Sequence, residues 1–564
     1  MKQRLKVLKN TRLWCISGIL GFVFAIFTLI GNSLEKTGSL AMCIGDRNVL
    51  LRSGLCGILL LLIFGTAVFV LYVLLERFGA YCGRHFTPKT EKNQASGRVF
   101  FTYFLTVILV WSPVLFIFYP GTTNVTVRNE VFSYFGIANE TTRRIALLDE
   151  NVLINGHHSV FHTLLLGWCV SFGRKLGSDN LGLFFYTFTQ FLMFAAVLAG
   201  MMVFLGKIGV PGWIRRGIFF IYLFFPLFPL RTAISLNKDE LYAILYLLFI
   251  ILCTAFLKDT ALLGKKRMLA LFWVNMLLVM LIRRNGLYAI LLTAPFFVLS
   301  VKKEQRIKLS VLILTAVLFF TVIVSDVIYP MCSFTPGSKS SALAVPFQQT
   351  ACYKALFGDE VTPEEYEAIN RVLEYEEIEY SPQRASGVLP HYRKEATKED
   401  LKAYFKVWYQ MFLKHPLTYV TATLHNCYGY FYPATYRKEV ILAGIVEGSN
   451  HGGEFHFHNL DATKNVREKI YEWSLFLPQI PVVRLFFSTG IYTWIAMLLA
   501  GYLLFQKRYR EITLFIPLAV NVLICMVSPV NTMLRYMLPV IICLPFLAGI
   551  CLQEKEQEME EKTA

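Results

Sequence analysis

Charged residues are scarce in this sequence: they make up 16% of its 564 residues, whereas hydrophobic residues make up 55%. Soluble globular domains contain about 25% charged residues, so the composition excludes a soluble fold. Apolar runs of roughly 17 to 25 residues recur along the chain, and each matches a bilayer core of ~30 Å. The short alternating segments of a transmembrane β-barrel are missing. The sequence therefore predicts an all-α membrane protein.

The 12 cysteines include no C-x-x-C pair, so they indicate neither a zinc site nor a redox centre. Most of them lie in apolar runs, where cysteine behaves as a small hydrophobic residue. Cys332 and Cys352 both fall in a large loop. The sequence leaves open whether these two form a disulfide or remain free thiols.

The formal net charge of +17 comes from short basic clusters between the apolar runs. Lys and Arg are enriched in cytoplasmic loops, so the charge indicates membrane orientation, and we predict no nucleic-acid partner. The first run, Leu13 to Ile30, follows a basic leader and lacks a small-residue cleavage pattern. We interpret it as an uncleaved signal anchor.

About twelve runs are long enough to be predicted as transmembrane spans. They begin at Leu13, Ser53, Val99, Leu181, Gly217, Leu241, Met268, Gly286, Leu309, Val482, Ile512 and Tyr536. A cytoplasmic N-terminus places every short basic loop inside, so we expect a multi-pass plasma-membrane protein with both termini cytoplasmic. The predicted parts are an N-terminal two-helix extension (1–98), a transmembrane core (99–329) with a first large outer loop (120–180), a large extracytoplasmic loop (330–481), and C-terminal transmembrane helices with an acidic cytoplasmic tail (482–564).

Two segments outside the spans carry helical patterns. The segment His157 to Gly177 is apolar, but counting it as a span would invert every later loop, so we predict an amphipathic helix at the outer interface. In the large loop, the stretches that begin at Thr362 and Lys398 have the caps and the apolar spacing of helices. The aromatic cluster HNCYGYFYPATY follows them. Its composition favours sugar stacking and the bilayer interface equally.

Outer carboxylates are few, and a catalytic base for extracytoplasmic chemistry has to come from them. Asp149 and Glu150 lie shortly before the interfacial helix, where they could meet a substrate at the membrane surface. Asp149 is the first candidate for the base, and Glu150 and Glu130 are the alternatives. Each of the three is also compatible with an ordinary solvated charge.

Three histidines lie at the start of the interfacial helix: His157, His158 and His162. The last two are four residues apart, so their rings share one helix face, which is a two-ligand metal geometry. A zinc site would need a third ligand, for example from His451, His456 or His458. Hydrogen bonding to a phosphate or a sugar hydroxyl, or helix capping, explains the histidines without a metal. We predict no metal site and no cofactor.

Four arginines lie at the outer ends of predicted spans: Arg231, Arg283, Arg284 and Arg535. Positive charge is biased towards the cytoplasmic side, so a group of outer arginines indicates an anionic partner. A guanidinium group binds phosphate in a bidentate fork, which makes a lipid phosphate the expected ligand. Interaction of the individual side chains with lipid headgroups is the alternative.

Several motifs together resemble the GT-C superfamily of membrane glycosyltransferases. They are YPG at Tyr119, HHSVFHTLL at His157, SLNKDELYA at Ser235, RRNGLYA at Arg283, VPFQQTACY at Val345, KHPLTYV at Lys414 and RYMLP at Arg535. The chain resembles more closely a bacterial family of uncharacterised polytopic proteins related to that superfamily. The resemblance covers Val99 to the C-terminus and implies a GT-C-like fold. The first two of the roughly twelve predicted helices are an addition to it.

The resemblance implies a polyprenyl-phosphate sugar donor bound by arginines and a carboxylate base in the first outer loop. Asp149 or Glu150 would be that base, and Arg283, Arg284 and Arg535 would hold the phosphate. The substrate-binding candidates are these arginines with Arg231, the three histidines, Asp239, Gln348 and Gln349. Thr126 and Ser159 stand where the relatives have Asp and Pro, and Glu130 is the acid that could substitute.

The sequence therefore predicts an inverting GT-C-like glycosyltransferase that moves a sugar from a polyprenyl-phosphate donor to a cell-envelope glycan or lipid at the outer face. Its other partners would be membrane lipids. The alternatives are a polysaccharide polymerase or ligase, a lipid or glycan transporter, and a degenerate non-catalytic relative. The absence of clear internal repeats and the scarcity of charge inside the spans argue against a transporter.

Overall fold

The computed structural model describes residues 10–85, 96–139, 154, 156, 158–334, 339–436 and 441–553. Its helices before the large loop are α1 (Thr11–Thr37), α2 (Arg47–His85), α3 (Ser96–Ile117), α4 (Val125–Tyr134), α5 (Val160–Lys175), α6 (Asp179–Lys207), α7 (Gly212–Phe224), α8 (Lys238–Lys258), α9 (Lys266–Ile282), α10 (Asn285–Ser300) and α11 (Lys303–Met331). The later helices are α12 (Ala344–Phe357), α13 (Pro363–Asn370), α14 (Lys398–Lys414), α15 (Pro416–Cys427), α16 (Lys464–Phe476), α17 (Pro481–Phe487), α18 (Thr489–Phe505), α19 (Tyr509–Met526) and α20 (Leu534–Cys551). The described ranges contain isolated β-bridges but no strand. The all-α prediction is confirmed.

Eight of the described helices are long and apolar enough to cross a membrane: α1, α2, α3, α6, α8, α11, α19 and α20. A ninth crossing results if α17 and α18, which are bent by 78° relative to each other, form one broken span. Fewer helices than the predicted twelve or so meet this length criterion, because α7, α9 and α10 have only 13, 17 and 16 residues. At about 1.5 Å per residue they extend roughly 20 to 26 Å, which is less than the ~30 Å hydrocarbon core.

Helices α8 and α20 lie at the centre of the main hydrophobic core. In their most apolar stretches, 89% and 78% of the residues are buried inside the protein, compared with 17% in α2. The Tyr246 hydroxyl on α8 donates a hydrogen bond of 2.7 Å to the carbonyl oxygen of Pro517 on α19. Because α8 is central, the charged residues at its N-terminal end, Lys238 to Glu240, enter the protein interior.

The N-terminal two-helix extension packs against the rest of the chain. The ring of Phe24 on α1 stacks on Trp494 of α18, with 4.1 Å between the ring centroids. At the end of α1, the carboxylate of Glu35 accepts hydrogen bonds from the hydroxyls of Tyr428 (2.7 Å) and Thr435 (2.6 Å). The extension is therefore tied both to α18 and to the connection that follows the large loop's helices.

The first part of the large loop has its own hydrophobic core, which lies within residues 344–419. Both predicted helices are present as α13 and α14, and each begins with a capping box, at Thr362 with Glu365 and at Thr397 with Asp400. Cys352 is buried in this part of the fold and Cys332 is exposed, and both are free thiols. The disulfide alternative for these two cysteines is therefore excluded.

The aromatic cluster HNCYGYFYPATY packs in the main core. Tyr428, Tyr430 and Phe431 are at most 3% exposed. The carbonyl oxygens of Tyr430 and Phe431 accept hydrogen bonds from the hydroxyl of Thr493 (2.6 Å) and the indole of Trp494 (2.7 Å). Neither sugar stacking nor the bilayer interface accounts for these rings, because burial against α18 uses their apolar surface.

The segment predicted as an interfacial helix forms α5, and its two sides differ as expected for an amphipathic helix. Trp168 and Phe172 are 53% and 38% exposed, whereas the opposite side packs against α6. Two glycines bring the backbones of α5 and α6 into contact. A Cβ atom on Gly182 would lie 2.6 Å from the carbonyl oxygen of Cys169, which is too close for any side chain.

We predict that Gly182→Ala destabilises the protein by about 1 to 3 kcal/mol, because the new methyl group pushes α5 away from α6. Gly200→Ala is the matched control, since it lies on the same helix and a Cβ there meets no atom within 4 Å. Thermal unfolding of both variants in one detergent would measure the difference. Equal midpoints for the two variants would contradict the close packing of α5 on α6.

Candidate functional site

Three consecutive charged residues begin α8, and each pairs with a different part of the chain. Successive side chains on a helix point about 100° apart, so neighbouring residues reach different partners. The ammonium of Lys238 lies 3.3 Å from a carboxylate oxygen of Glu130. Asp239 and Glu240 occupy the first turn, where the helix dipole favours negative charge. We call the residues that meet here the charge cluster: Glu130, His158, His162, Arg231, Lys238, Asp239, Glu240, Arg283 and Arg535.

The start of α8 is positioned by backbone hydrogen bonds from two other segments. The backbone of Thr122 pairs with that of Ile234 and Leu236, with both hydrogen bonds at 3.0 Å. The side-chain amide of Gln190 on α6 donates to the carbonyl oxygens of Thr232 (3.0 Å) and Ser235 (2.8 Å). The residues that lead into α8 therefore have a defined position before any side-chain charge is considered.

Glu130 on α4 is fully buried and lies between a histidine and a lysine. One of its oxygens is 2.7 Å from Nδ1 of His162, and Nε2 of His162 is 2.8 Å from the hydroxyl of Tyr186. Nδ1 of His158 lies 3.8 Å from the other oxygen, which also faces Lys238. Burial opposes ionisation of Glu130, but His162, Lys238 and His158 outweigh that effect and hold the pKa of its carboxyl well below the usual range.

The proton positions along this chain of contacts follow from the ionised state of Glu130. A carboxylate can only accept, so Nδ1 of His162 donates to it. In a neutral imidazole Nε2 then accepts the hydroxyl proton of Tyr186. Both ring nitrogens of His162 thus have protein partners, so the structure gives no support to the alternative in which His158 and His162 are metal ligands.

Asp239 draws two arginines from distant parts of the chain to the same place. Its oxygens lie 3.1 Å from Nη1 of Arg283, which follows α9, and 3.5 Å from Nε of Arg535, which begins α20. Both guanidinium groups also face the ring of Tyr536, at 4.8 and 5.2 Å from its centroid. The aromatic face adds a cation–π attraction that holds the arginines in this orientation.

The acidic and basic groups of this site differ in exposure. The Asp239 side chain is only 3% exposed, whereas those of Arg283 and Arg535 are 16% and 22% exposed. Likewise Glu130 is fully buried and Lys238 is 14% exposed. The cationic groups therefore form the accessible side of the charge cluster. Four cationic side chains also stand against three carboxylates, which leaves an excess of positive charge.

Arg231 and Glu240 form the most enclosed arginine–carboxylate pair of the charge cluster. Nε of Arg231 lies 2.9 Å from a carboxylate oxygen of Glu240, and their side chains are 9% and 0% exposed. Arg231 lies in a π-helical turn, Phe228–Thr232, directly before the segment that leads into α8. The guanidinium group of Arg231 pairs with Glu240 inside the protein. Arg231 therefore helps to position α8 and does not belong to the accessible side of the charge cluster.

A segment that we call the outer strap, residues 441–460, crosses α4 and the start of α6. Backbone groups of the strap bond to Thr123 and to the guanidinium of Arg128 beside α4. At α6, Asp179 accepts from the backbone nitrogen of His456 (2.8 Å), and Asn180 exchanges two hydrogen bonds with the backbone of His458. The strap therefore holds α4, which carries Glu130, against α6, which carries Tyr186.

The structure brings together seven of the residues predicted from the sequence: Glu130, His158, His162, Arg231, Asp239, Arg283 and Arg535. Asp149, Glu150 and His157 lie outside the described residues. Arg284 is exposed. Lys238, Glu240 and Tyr186 belong to the site but were not predicted as site residues. The motif SLNKDELYA contains the first two and was the signal for them, whereas none pointed to Tyr186.

Gln348 and Gln349 have structural partners in the core of the large loop. The amide of Gln348 donates to the carbonyl oxygen of Ser381 (2.5 Å), and that of Gln349 donates to the hydroxyl of Thr423 (2.8 Å). Neither makes a hydrogen bond to the charge cluster in the described structure. The prediction that they bind substrate has no geometric support, because their amide groups are used to pack α12.

Ser159, one of the two positions that depart from the pattern of the resemblance, has a defined role in the local fold. The hydroxyl of Ser159 caps α5 by accepting from the backbone nitrogen of His162 (3.1 Å), and it donates to the carbonyl oxygen of Leu281 (2.7 Å).

Of the described residues, no three or more His, Cys, Asp or Glu side chains form a group that could hold a metal ion. His456 and His458 are exposed and contribute backbone atoms to the strap contacts.

We predict that Lys238→Met is strongly destabilising, because it removes a cation from the ionised and buried Glu130; breaking such a buried pair costs about 3 to 5 kcal/mol. The double variant Glu130→Gln with Lys238→Met should recover part of that loss, since it leaves no unpaired charge. Thermal unfolding of both single variants and the double variant would give the coupling energy. Additive effects would contradict a direct interaction between the two side chains.

The same pair predicts a pH dependence with a defined sign. Folding lowers the pKa of Glu130, so its contribution to stability is fully present above the pKa of about 4.3 of an unfolded glutamate and is lost as the pH falls below it. Wild-type protein should therefore lose more stability between about pH 5 and pH 2 than Glu130→Gln, as measured by unfolding midpoints. A parallel decline in both proteins would contradict the lowered pKa.

A family model described as a family of unknown function, DUF6020, matches residues 147–564. No curated protein and no solved structure matches the chain. The matched region contains Lys238, Asp239, Arg283 and Arg535, whereas α4 with Glu130 lies before it. Since the match covers well over half of its length, the chain belongs to the DUF6020 family.

Proposed function

We propose that this protein is a membrane glycosyltransferase of the GT-C type, which moves a sugar from a polyprenyl-phosphate donor to a cell-envelope acceptor at the outer face of the plasma membrane. The observation that carries the proposal is the orientation of Arg283 and Arg535 around Asp239. Their guanidinium groups are the accessible side of a buried charge cluster in a membrane protein. A lipid-linked phosphate is the anion that such a position favours.

Asp239 prepares the two arginines for the phosphate. It neutralises them while the site is free and holds them close together, so little reorganisation is needed when an anion binds. A phosphate oxygen then accepts N–H hydrogen bonds from both guanidinium groups. The same contacts stabilise the negative charge that develops on the phosphate as its bond to the sugar breaks. They therefore make the phosphate a better leaving group.

The reaction is a single displacement at the anomeric carbon of the sugar. The acceptor hydroxyl oxygen forms a bond to this carbon, and the bond from the carbon to the phosphate oxygen breaks with its electron pair. Polyprenyl phosphate leaves with that electron pair, and the configuration at the carbon is inverted. The hydroxyl proton passes to a carboxylate base.

Among the described residues, Glu130 is the proposed base, and Asp149 and Glu150 are the alternatives in the same loop. His162, whose other ring nitrogen contacts Tyr186, lies at one oxygen of Glu130, and Lys238 lies at the other. Because the carboxylate is buried and ion-paired, an acceptor hydroxyl has to displace Lys238 from it. The partial exposure of Lys238 gives the acceptor this route.

One observation favours a second function, namely a non-catalytic protein that binds lipid phosphate. Glu130 is fully buried and its pKa is lowered, and a carboxylate with a lowered pKa is a weaker base. In that case the arginines still bind the anion, but no proton transfer follows. Donor binding without sugar transfer distinguishes this function from the glycosyltransferase.

The orientation in the membrane is part of the proposal. We propose that both termini are cytoplasmic and that the N-terminal end of α8, the outer strap and the large loop lie on the outer side. This orientation requires α7 and the π-helical turn Phe228–Thr232 to return the chain across the membrane before α8 begins. The basic connections between apolar runs support this orientation. The lipid-linked donor then meets the charge cluster from the outer leaflet.

We predict that Arg283→Ala and Arg535→Ala each weaken the binding of a polyprenyl phosphate by about 1.5 to 3 kcal/mol, as for a lost hydrogen bond to a charged group. This corresponds to roughly a ten- to hundredfold increase in Kd. Titration of purified protein in detergent would measure it, with the matching polyprenol as the ligand that lacks phosphate.

Arg284→Ala is the matched control for this experiment, because Arg284 is adjacent in sequence but exposed. It should bind polyprenyl phosphate as the wild-type protein does. Equal affinity in all three variants would show that the arginines interact with headgroups in general and do not form a phosphate site.

We predict that Glu130→Gln lowers the rate of sugar transfer by about 10² to 10⁴, the contribution of a positioned base, and leaves the Kd for polyprenyl phosphate within about twofold. Asp149→Asn and Glu150→Gln, tested in parallel with polyprenyl-phosphate sugars, should retain transfer. Loss of transfer in Asp149→Asn with full activity in Glu130→Gln would assign the base to Asp149. Binding of the donor with no transfer by the wild-type protein would support the non-catalytic function.

A further inference from the structure

Helix α16 carries a row of exposed apolar side chains that no part of the described chain covers. Val466, Trp473 and Phe476 are 47%, 64% and 55% exposed, and Ile470 between them is half-buried. Their spacing of three or four residues places them along one side of the helix. The opposite side of α16 packs against the protein, so the apolar row is a surface that does not take part in that packing.

The circumference of α16 is divided into three sectors. One sector faces the protein and contains Arg467 and Ser474, both buried. A second contains the apolar row. The third is polar and exposed, and it contains Glu468 and Glu472. A helix on the surface of a soluble domain has two sectors, protein and water. A third, apolar sector indicates another environment, which a helix lying in the plane of a membrane interface has.

Both ends of α16 are connected to membrane helices. Just before its first turn, the hydroxyl of Thr463 donates a hydrogen bond of 2.9 Å to the carbonyl oxygen of Ile117, the last residue of the span α3. After its last turn the chain passes through α17 to α18, with the 78° bend between them. Helix α16 therefore lies at the level where two membrane helices end.

The apolar surface continues beyond α16 into α17. Val482, Leu485 and Phe486 are 70%, 37% and 48% exposed. This short helix is the bent partner of the span α18, so the exposed surface extends from α16 directly to a helix that enters the membrane. The continuity of the surface with a span favours lipid as its partner over a soluble protein.

We propose that α16 and α17 form an in-plane anchor whose partner is the lipid of the bilayer, at the boundary between headgroups and acyl chains. Trp473 occupies the level where Trp residues are enriched in membrane proteins. Lys469, beside the apolar row, extends to the headgroup phosphates, while Glu468 and Glu472 face water. This anchor is independent of the proposed glycosyltransferase activity.

The test uses full-length protein in vesicles of phosphatidylcholine and phosphatidylglycerol. An environment-sensitive fluorescent amino acid replaces Trp473 in one variant and Glu472 in the matched control, so that the two probes lie on adjacent residues but different sectors. Lipids brominated near the headgroup end of the acyl chain quench from the bilayer, and iodide quenches from water.

We expect the bromolipid to quench the probe at 473 several-fold more than the probe at 472, and iodide to give the reverse order. Iodide quenching of the 473 probe equal to that of the 472 probe would overturn the anchor, because the row would then face water. Protection of the 473 probe from both quenchers would also overturn it, because a second copy or another protein would then cover the row. If the Trp473 variant does not fold, a probe at Val466 tests the same sector with the same outcomes.

Discussion

The burial of charge at the N-terminal end of α8 is the constraint on which the arrangement of the other segments depends. Helix α8 is the most enclosed of the candidate spans, yet it begins with Lys238, Asp239 and Glu240. A charge in a poorly solvated interior is costly unless an opposite charge lies next to it. Each of the three residues therefore requires a partner from elsewhere. Together they bring three distant segments, and the turn that precedes α8, to the same end of the helix.

This requirement explains several features that would otherwise be unrelated. The outer strap and the hydrogen bonds of Asp179 and Asn180 hold α4 in place, and α4 supplies Glu130 to Lys238. The break between α9 and α10 supplies Arg283, which a continuous helix could not direct towards Asp239 in the same way. The short length of these two helices is thus linked to the site, since the chain leaves its helical path where the arginine is needed.

The sequence was sufficient for the elements but not for the pairings. Apolar runs and capping residues such as Thr362 and Thr397 predict helices because these signals are local. The clustering of arginines at the ends of predicted spans also pointed to Arg283 and Arg535. The contact of Lys238 with Glu130 joins residues far apart in the sequence, and no local pattern predicts it. Fewer helices than predicted have the length of a span, because hydrophobicity alone does not reveal where a helix ends early. The aromatic cluster was misinterpreted because aromatic residues serve burial, interfaces and ligands alike.

The consecutive placement of the three charged residues also limits how this segment can change in length. Ser235 lies opposite Thr122 in the backbone pairing that positions the start of α8. Inserting or deleting one residue between Ser235 and Lys238 would rotate every side chain at the start of α8 by about 100° relative to the rest of the protein. Lys238 would turn away from Glu130, and Asp239 and Glu240 would turn away from their arginines at the same time. Substitution at any one position affects one pair, whereas a change in length breaks all three. The register of the chain in this short connection is therefore a stricter requirement than the identity of any single residue within it.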